Sequence, residues 1–239
     1  MKRFNWENIR LLLIIIGIGF LYAFSANRNE HRALAKSEVK FDRIDDLFLS
    51  AEAVNKLLIE KNRASETVAK ENLDLNKLEN TVNAHEMVER SEVYVGVDGV
   101  LKAKVIQKTP VVRVFDESGS FYIDQQGKKM PLSTLYTARV PLVTGKVDAN
   151  NSELMKVFRA IFEDDFLKKN IIGIKVLPNG ALVMENRNFG YEIDFGKPVN
   201  IERKFRNYKA FYQKAEQDST INNYKSINLR FTQQVVCSK

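Results

Sequence analysis

An uncharged apolar stretch near the start of the chain, from Leu11 to Phe24, constrains this 239-residue sequence most strongly. Its 14 residues would rise about 21 Å as an α-helix, whereas a bilayer core is roughly 30 Å thick. The apolar length reaches 18 residues between Ile9 and Ala26, because Arg10 can extend its guanidinium back to the lipid headgroups. Trp6 lies about one turn further out, where aromatic rings favour the membrane interface. The sequence therefore predicts a transmembrane helix over residues 11–26.

A cleaved signal peptide is the alternative interpretation of this stretch, since its uncharged core is short. Ala23 and Ser25 are small residues at the spacing that a signal peptidase needs, but the bulky Phe20 and Tyr22 beside them disfavour processing. Retention as an anchor is the preferred interpretation, because nothing further along the chain indicates a released enzyme.

The charged flanks of the apolar stretch bear on its orientation. Residues 1–10 and 27–36 each contain three lysines or arginines, so the charge contrast is weak. The short N-terminal tail is nevertheless easier to leave in the cytosol than the long remainder. We expect residues 1–10 to be cytoplasmic, 27–36 to form a polar linker and the rest of the chain to be exported.

Charge and cysteine content exclude several classes of function. The net charge is +7, but basic and acidic residues are interleaved and no aromatic stacking motif accompanies them, so we expect no nucleic acid partner. Cys237 is the one cysteine, which rules out an intrachain disulfide and a cysteine-rich metal site. We expect it to be half-buried in a strand; an intermolecular link is the alternative.

The densest basic cluster lies on one predicted helix. The favoured interpretation is a solvated helix face, and attraction to anionic lipid or to an acidic partner is the alternative. Its members are Lys197, Arg203, Lys204, Arg206, Lys209 and Lys214.

Residues 37–110 have the pattern of a compact α+β domain. A short strand over 37–41 is followed by a helix that Ser50 caps, a polar loop over 62–72 and a second helix that Asp74 caps. Their predicted buried stripes contain Val54, Leu57 and Leu58 in the first helix, and Leu75, Leu78 and Val82 in the second.

A hairpin is the clearest local signal in this domain. Val93, Val95 and Val97 alternate with other residues, Asp98-Gly99 follows, and Val100 begins a return strand that reaches Lys108. Asp-Gly between alternating apolar residues predicts a two-residue type I′ turn.

Residues 111–239 are mostly β in pattern and predict a mixed, mostly antiparallel β domain with flanking helices. Ser152 is the predicted cap of one helix, and a basic amphipathic helix covers about 199–216. The predicted strands include 111–115, 121–124, 140–143, 172–176, 182–184, 191–195 and a final strand from Ile227 to Val236, with Ile227, Leu229 and Phe231 inward.

A search for catalytic or metal-binding residues finds no active-site pattern. His31 and His85 lack metal-ligand spacing, so a surface or capping role is expected for each. The acidic run 163–165 points its carboxylates to different sides and is expected to be a solvated helix end. Gly17 and Gly19 lie inside the apolar helix and do not form a nucleotide loop. The sequence predicts no enzyme activity, no cofactor, no metal and no small-molecule ligand.

The ordered set of segments resembles the FtsQ/DivIB family of bacterial cell-division proteins over nearly the whole chain. Residues 87–93 and 104–111 are similar to the family's second helix end, hairpin and following proline. Phe121-Tyr122-Ile123-Asp124 and then Gly127 resemble the start of its β domain. Residues 227–231 resemble its near-terminal Asp-Leu-Arg-Tyr strand, with Asn228 in place of Asp and Phe231 in place of Tyr.

The resemblance implies a non-enzymatic protein that crosses the inner membrane once and links early and late division proteins. It implies that residues 37–110 form a POTRA-like domain. It also implies that an FtsB/FtsL-type coiled-coil complex adds a strand beside the last strand of the β domain. By position, the partner-binding residues are Arg230, Phe231, Thr232, Gln233, Gln234, Val235 and Val236. A POTRA-bearing protein of outer-membrane assembly or secretion is the alternative.

Overall fold

A computed structural model describes residues 6–30, 37–43, 48–60, 74–117, 119–148 and 151–239. Helix α1 runs over Trp6–Glu30. Its segment Ile9–Ala26 has a mean hydropathy of 2.2. Among the helices in the described ranges, α1 is the one that is long and apolar enough to cross a membrane. The predicted apolar helix is therefore confirmed, and it fits a protein that crosses the membrane once.

The chain divides into two compact units, and the main division falls between Ile106 and Gln107. The smaller unit has a three-stranded sheet in the order β1-β3-β2, with β1 parallel to β3. Its elements after α1 are β1 (Ser37–Phe41), α2 (Ala51–Glu60), α3 (Leu75–Asn83), β2 (Val88–Val95) and β3 (Leu101–Gln107).

Both predicted helix caps of the smaller unit are present. The Ser50 hydroxyl oxygen accepts a hydrogen bond from the Ala53 amide at 3.1 Å, and the Asp74 carboxylate accepts one from the Lys77 amide at 2.9 Å. These bonds satisfy amides that have no partner within the helix. The buried stripes were correctly predicted, with Val54, Leu58, Leu78 and Val82 in the core and Leu57 and Leu75 half-buried. The predicted loop over 62–72 lies outside the described residues.

The β2–β3 hairpin is present, but its turn is not the predicted type I′. Gly99 has φ +79°, whereas Asp98 does not have a positive φ. Gly96 and Val100 pair across a three-residue loop, with the Gly96 amide donating to the Val100 carbonyl at 2.9 Å. The Asp98 carboxylate accepts from the Val100 amide at 3.1 Å and stabilises this longer turn. Val97, predicted to lie in the strand, is 94% exposed at the tip.

The larger unit is built on a nine-stranded sheet in the order β12-β11-β10-β9-β8-β7-β4-β5-β6. Three strand pairs are parallel and five are antiparallel, as the α+β prediction of a mixed, mostly antiparallel domain requires. Its elements are β4 (Pro110–Asp116), β5 (Gly119–Asp124), β6 (Lys129–Met130), β7 (Leu142–Gly145), α4 (Ser152–Glu163), α5 (Asp165–Asn170), β8 (Ile171–Val176), β9 (Leu182–Asn186), β10 (Glu192–Gly196), α6 (Ile201–Gln217), β11 (Ser226–Asn228) and β12 (Val236–Ser238).

One face of this sheet forms the main core with the helices. A row of facing residues crosses the sheet from β11 to β4 and is buried along its whole length. Side chains of α4, α5 and α6 pack in the same cluster. The row consists of Ile227, Ile193, Met184, Ile174, Val143 and Val114.

Three local predictions in this unit were wrong. Asn151, not Ser152, caps α4, because its side-chain oxygen accepts from the amides of the second and third helical residues. The alternation of Ile172, Ile174 and Val176 predicts one shared face for these side chains, yet Ile172 is exposed, since the β8–β9 register shifts beside it. Lys204 belongs to the predicted solvated face of α6, yet it is only 2% exposed.

Candidate partner-binding edge

The end of the chain is a hairpin and not the single long strand that the sequence predicts. Strand β11 stops at Asn228, and the chain reverses so that β12 returns antiparallel to it, with Cys237 opposite Ile227. The side-chain oxygen of Asn228 accepts from the Arg230 amide at 2.9 Å, a bond that favours a turn over a continuing strand. The prediction that Phe231 points inward is therefore wrong, and its side chain is 53% exposed.

Strand β12 forms one end of the nine-stranded sheet. Its middle residue, Cys237, is half-buried against the core cluster, and burial raises the pKa of its thiol. The predicted half-buried strand position of this cysteine is confirmed. Ser238 holds the strand in place through its carbonyl, which accepts from the Lys225 amide at 2.8 Å, and its hydroxyl, 3.1 Å from that of Ser226.

The connection between β11 and β12 is attached to the rest of the sheet by an ion pair. Arg230 Nε lies 2.8 Å from one carboxylate oxygen of Asp194 and 3.0 Å from the other. The arginine side chain crosses Gly196, where a Cβ would lie 2.8 Å from Arg230 Cγ. The backbone adds a second attachment, because the buried Leu229 donates its amide to the Asp194 carbonyl at 2.8 Å.

Helix α6 supports the same connection from the core side. Asn207 donates its side-chain amide to the Thr232 carbonyl at 3.0 Å. Between α6 and residues 233–235 lies a groove of about 350 Å³. Its lining includes the rings of Phe211 and Tyr224, whose centres are 5.4 Å apart. The groove can therefore accept an apolar side chain next to the sheet edge.

The buried Lys204 fixes the start of α6 to the end of β10. Its ammonium donates to the Phe195 carbonyl at 2.7 Å and to the Lys197 carbonyl at 2.8 Å. It also lies 4.7 Å from the centre of the Phe195 ring, a cation–π distance. Burial lowers the pKa of this ammonium. No sequence pattern indicates this role, because Lys204 lies among residues that look like a solvated basic face.

The seven predicted partner-binding residues lie together but not in one strand. Residues 230–235 form the connection, and only Val236 belongs to β12. Five of the seven side chains are exposed, while Thr232 and Val235 are half-buried. The sequence reasoning left out Cys237 and Ser238, which form the rest of β12. The Asn228 turn was the one available signal, since residues 229–235 contain neither glycine nor proline.

The residues considered for catalysis have structural roles where they are described. His85 Nδ1 accepts from the Met87 amide at 3.2 Å in the turn between α3 and β2, and His31 lies outside the described residues. Asp164 caps α5 through the Leu167 amide at 3.0 Å and pairs with Lys209. In the part of the chain that the structure describes, no three His, Cys, Asp or Glu residues are grouped to hold a metal ion.

Comparisons with known proteins identify one family. The family model described as "FtsQ/DivIB, C-terminal related" matches residues 109–238, more than half of the chain. No curated protein matches the chain. One similar solved structure is the major extracytoplasmic domain of the trans isomer of the cell-division protein DivIB from Geobacillus stearothermophilus. It is 15% identical, with 46% of this chain and 95% of that chain covered and a TM-score of 0.33.

Proposed function

Since the chain belongs to the FtsQ/DivIB, C-terminal related family, we propose that it is a non-enzymatic membrane scaffold of the bacterial division machinery. Family membership supports a role in cell division. The scaffold holds early and late division proteins together at the membrane, anchored by α1 with its N-terminus in the cytoplasm. The rest of the smaller unit and the whole larger unit are periplasmic. The strand-helix-helix-strand-strand order of the smaller unit supports its assignment as a POTRA-like domain that contacts further division proteins.

The observation that carries the partner assignment is the contrast between the two ends of the nine-stranded sheet. Strand β6 is two residues long, carries Lys129 and is followed by Pro131, features that discourage pairing with another strand. Strand β12 carries only uncharged side chains, and Val236 is 42% exposed. Of these two ends, β12 is the better surface for an added strand.

The proposed partner is an FtsB/FtsL-type complex that contributes an extended segment to β12. Main-chain hydrogen bonds along the edge would supply affinity, and side-chain contacts would supply specificity. The exposed Phe231 and the groove beside α6 would provide apolar contacts for such a segment. The binding surface then comprises residues 230–236 together with Cys237 and Ser238.

A truncation after Gln233 in the full-length protein tests this assignment. It removes β12 but keeps the bond between Asn207 and Thr232. We expect the truncated protein to remain in the membrane and to lose capture of a co-expressed FtsB/FtsL-type pair. Lys129→Glu, on the opposite end of the sheet, is the matched control and should capture normally. Capture by the truncated protein at wild-type strength would contradict the assignment of β12.

Fluorescent fusions test the cellular role separately. A full-length fusion should form a ring at mid-cell, and a uniform envelope signal would count against a divisome scaffold. A periplasm-dependent reporter fused after Lys239 should be active, while the same reporter placed before Trp6 should be inactive. The reverse pattern would contradict the proposed orientation.

A further inference from the structure

The two edges of the small three-stranded sheet differ in how their backbone groups are covered. On the β2 edge, side chains of α3 accept hydrogen bonds from the backbone amides that point away from the sheet. Asn83 accepts from the Ser91 amide at 2.6 Å, and Glu79 accepts from the Val93 amide at 3.1 Å. These bonds occupy the donors that an added strand would need, so the β2 edge is closed to pairing.

The β1 edge has no such cover among the described residues. Strand β1 ends the sheet order and pairs with β3 on one side. Its side chains alternate, with Val39 and Phe41 half-buried against the core and Glu38 and Lys40 exposed. The strand therefore presents the half-buried side chains of Val39 and Phe41 on one face. Along its outer side, no backbone amide or carbonyl is paired with another strand of the described residues.

The charges of β1 are self-complementary. If two copies pair antiparallel about Val39, Glu38 of each copy stands opposite Lys40 of the other, and the two Val39 side chains meet on the core face. Opposite charges at directly facing positions stabilise an antiparallel pair. Because this arrangement has two-fold symmetry, both copies use the same residues in the same register, and the assembly stops at a dimer.

The charges of β3 favour the same pairing. Lys40 stands directly opposite Lys104 on β3, and this like-charge pair is unfavourable. A Glu38 side chain from a second copy would place a carboxylate on the free side of Lys40. Glu38 itself faces Lys102 on β3, so in the paired sheet each Glu38 carboxylate would lie between two lysines, Lys102 of its own copy and Lys40 of the other.

We propose that β1 is a self-association edge, through which two copies of this chain pair antiparallel with Val39 at the two-fold axis. A five-residue strand pair is too small to hold a stable dimer by itself in dilute solution. Six residues separate α1 from β1, so the connection spans at most about 25 Å and keeps β1 of anchored copies within that distance of the end of α1. Confinement to one membrane raises the effective concentration and makes the small contact sufficient.

Cysteine pairs in proteoliposomes of phosphatidylethanolamine and phosphatidylglycerol test the register. All variants carry Cys237→Ser, which removes the native cysteine. Two differently tagged full-length copies, one with Glu38→Cys and one with Lys40→Cys, are mixed and oxidised. We expect a disulfide-linked mixed dimer, because these positions face each other and the second Glu38–Lys40 pair is preserved. When both copies carry Glu38→Cys, we expect several-fold less disulfide-linked dimer. The two cysteines then lie diagonally across the strand pair and do not face each other directly.

The closed edge supplies the matched control. Glu92→Cys and Tyr94→Cys are exposed, lie two residues apart on β2 and should give no mixed dimer above background. Equal yields from the 92–94 and 38–40 pairs, or no 38–40 product from folded protein, would overturn the proposal.

Charge reversal tests the same contact without cysteines. Energy transfer between labelled full-length copies in these vesicles should show association weakened by roughly fivefold in Glu38→Lys and in Lys40→Glu. The double variant Glu38→Lys/Lys40→Glu should recover it, because each lysine again faces a glutamate. Single reversals with no effect, or a double variant weaker than either single one, would contradict pairing through β1.

Discussion

Arg230 and Asp194 join the last connection of the chain to strand β10, with Arg230 Nε 2.8 Å from a carboxylate oxygen of Asp194. The arginine reaches this position across Gly196, whose φ of +69° and missing side chain leave room for it. The ion pair is more than half exposed on the arginine side, so its contribution to stability is small. Its role is to hold the segment that leads into β12.

The contact with Gly196 predicts a coupled effect of two substitutions. Gly196→Ala should lower the free energy of unfolding by about 1–2 kcal/mol for the left-handed backbone, and should also displace Arg230. Gly180→Ala is the control, since Gly180 has φ +78° but nothing within 4 Å of the added Cβ. In an Arg230→Ala background, Gly196→Ala should cost no more than Gly180→Ala. Urea unfolding of the four variants in detergent measures this, and strict additivity of Gly196→Ala and Arg230→Ala would contradict it.

The buried Lys204 predicts a pH dependence of stability. Burial lowers the pKa of its ammonium in the folded state below the ordinary value of 10.5. Between these two values the unfolded chain binds more protons than the folded chain, so this lysine contributes more to stability as pH rises. The free energy of unfolding of wild type minus that of Lys204→Met should therefore increase from pH 7 towards pH 10.

Denaturant titrations at several pH values measure this difference. Lys214→Met, an exposed lysine on the same helix, controls for the loss of one lysine. A difference between wild type and Lys204→Met that falls with rising pH would show that the buried ammonium is favoured, and not disfavoured, by its surroundings.

A buried hydroxyl network predicts a large effect of removing one oxygen. The Tyr208 hydroxyl accepts from the Asn186 side-chain amide at 2.8 Å and lies 2.9 Å from the Tyr191 hydroxyl. Tyr208→Phe should lower the free energy of unfolding by about 1–3 kcal/mol, because both partners stay buried with one bond fewer. Tyr212→Phe, one turn along α6, should cost less than about 0.5 kcal/mol. Thermal unfolding compares the two, and equal costs would contradict the role of the network.

The closed β2 edge predicts a local change in amide exchange. Asn83→Ala removes the acceptor of the Ser91 amide and of the Ser91 hydroxyl, which lies 2.9 Å away. Exchange at Ser91 should accelerate, and stability should fall by about 1–3 kcal/mol because Ser91 is buried. Asn80→Ala, on the exposed side of the same helix, should leave exchange at Ser91 unchanged. Unaltered exchange in Asn83→Ala would show that its side chain does not protect the edge.

Local patterns were enough to predict most elements of the fold. Ser50 and Asp74 cap the predicted helices, because capping depends on residues only three positions apart. Strand β1 has the predicted bounds 37–41. The apolar length from Ile9 to Ala26 likewise needs no knowledge of the rest of the chain. Family membership also followed from the order of such local segments.

The candidate site depended on tertiary contacts that no local pattern reports. Residues 227–231 alternate like a strand, yet β11 ends at Asn228, and the ion pair of Arg230 with the distant Asp194 holds the segment that leaves it. Lys204 has the composition of a surface residue, but the ends of β10 and α6 meet around it and supply its acceptors.

The sequence by itself determined the apolar helix, the α+β class and the region of the chain that contains the candidate edge. Each of these follows from side-chain character repeated over a few neighbouring residues. The tertiary structure alone decided that β12 forms the edge and that residues 230–235 connect to it. A strand becomes an edge only through the position of its neighbours, and those neighbours include Asp194, more than 30 positions earlier in the chain.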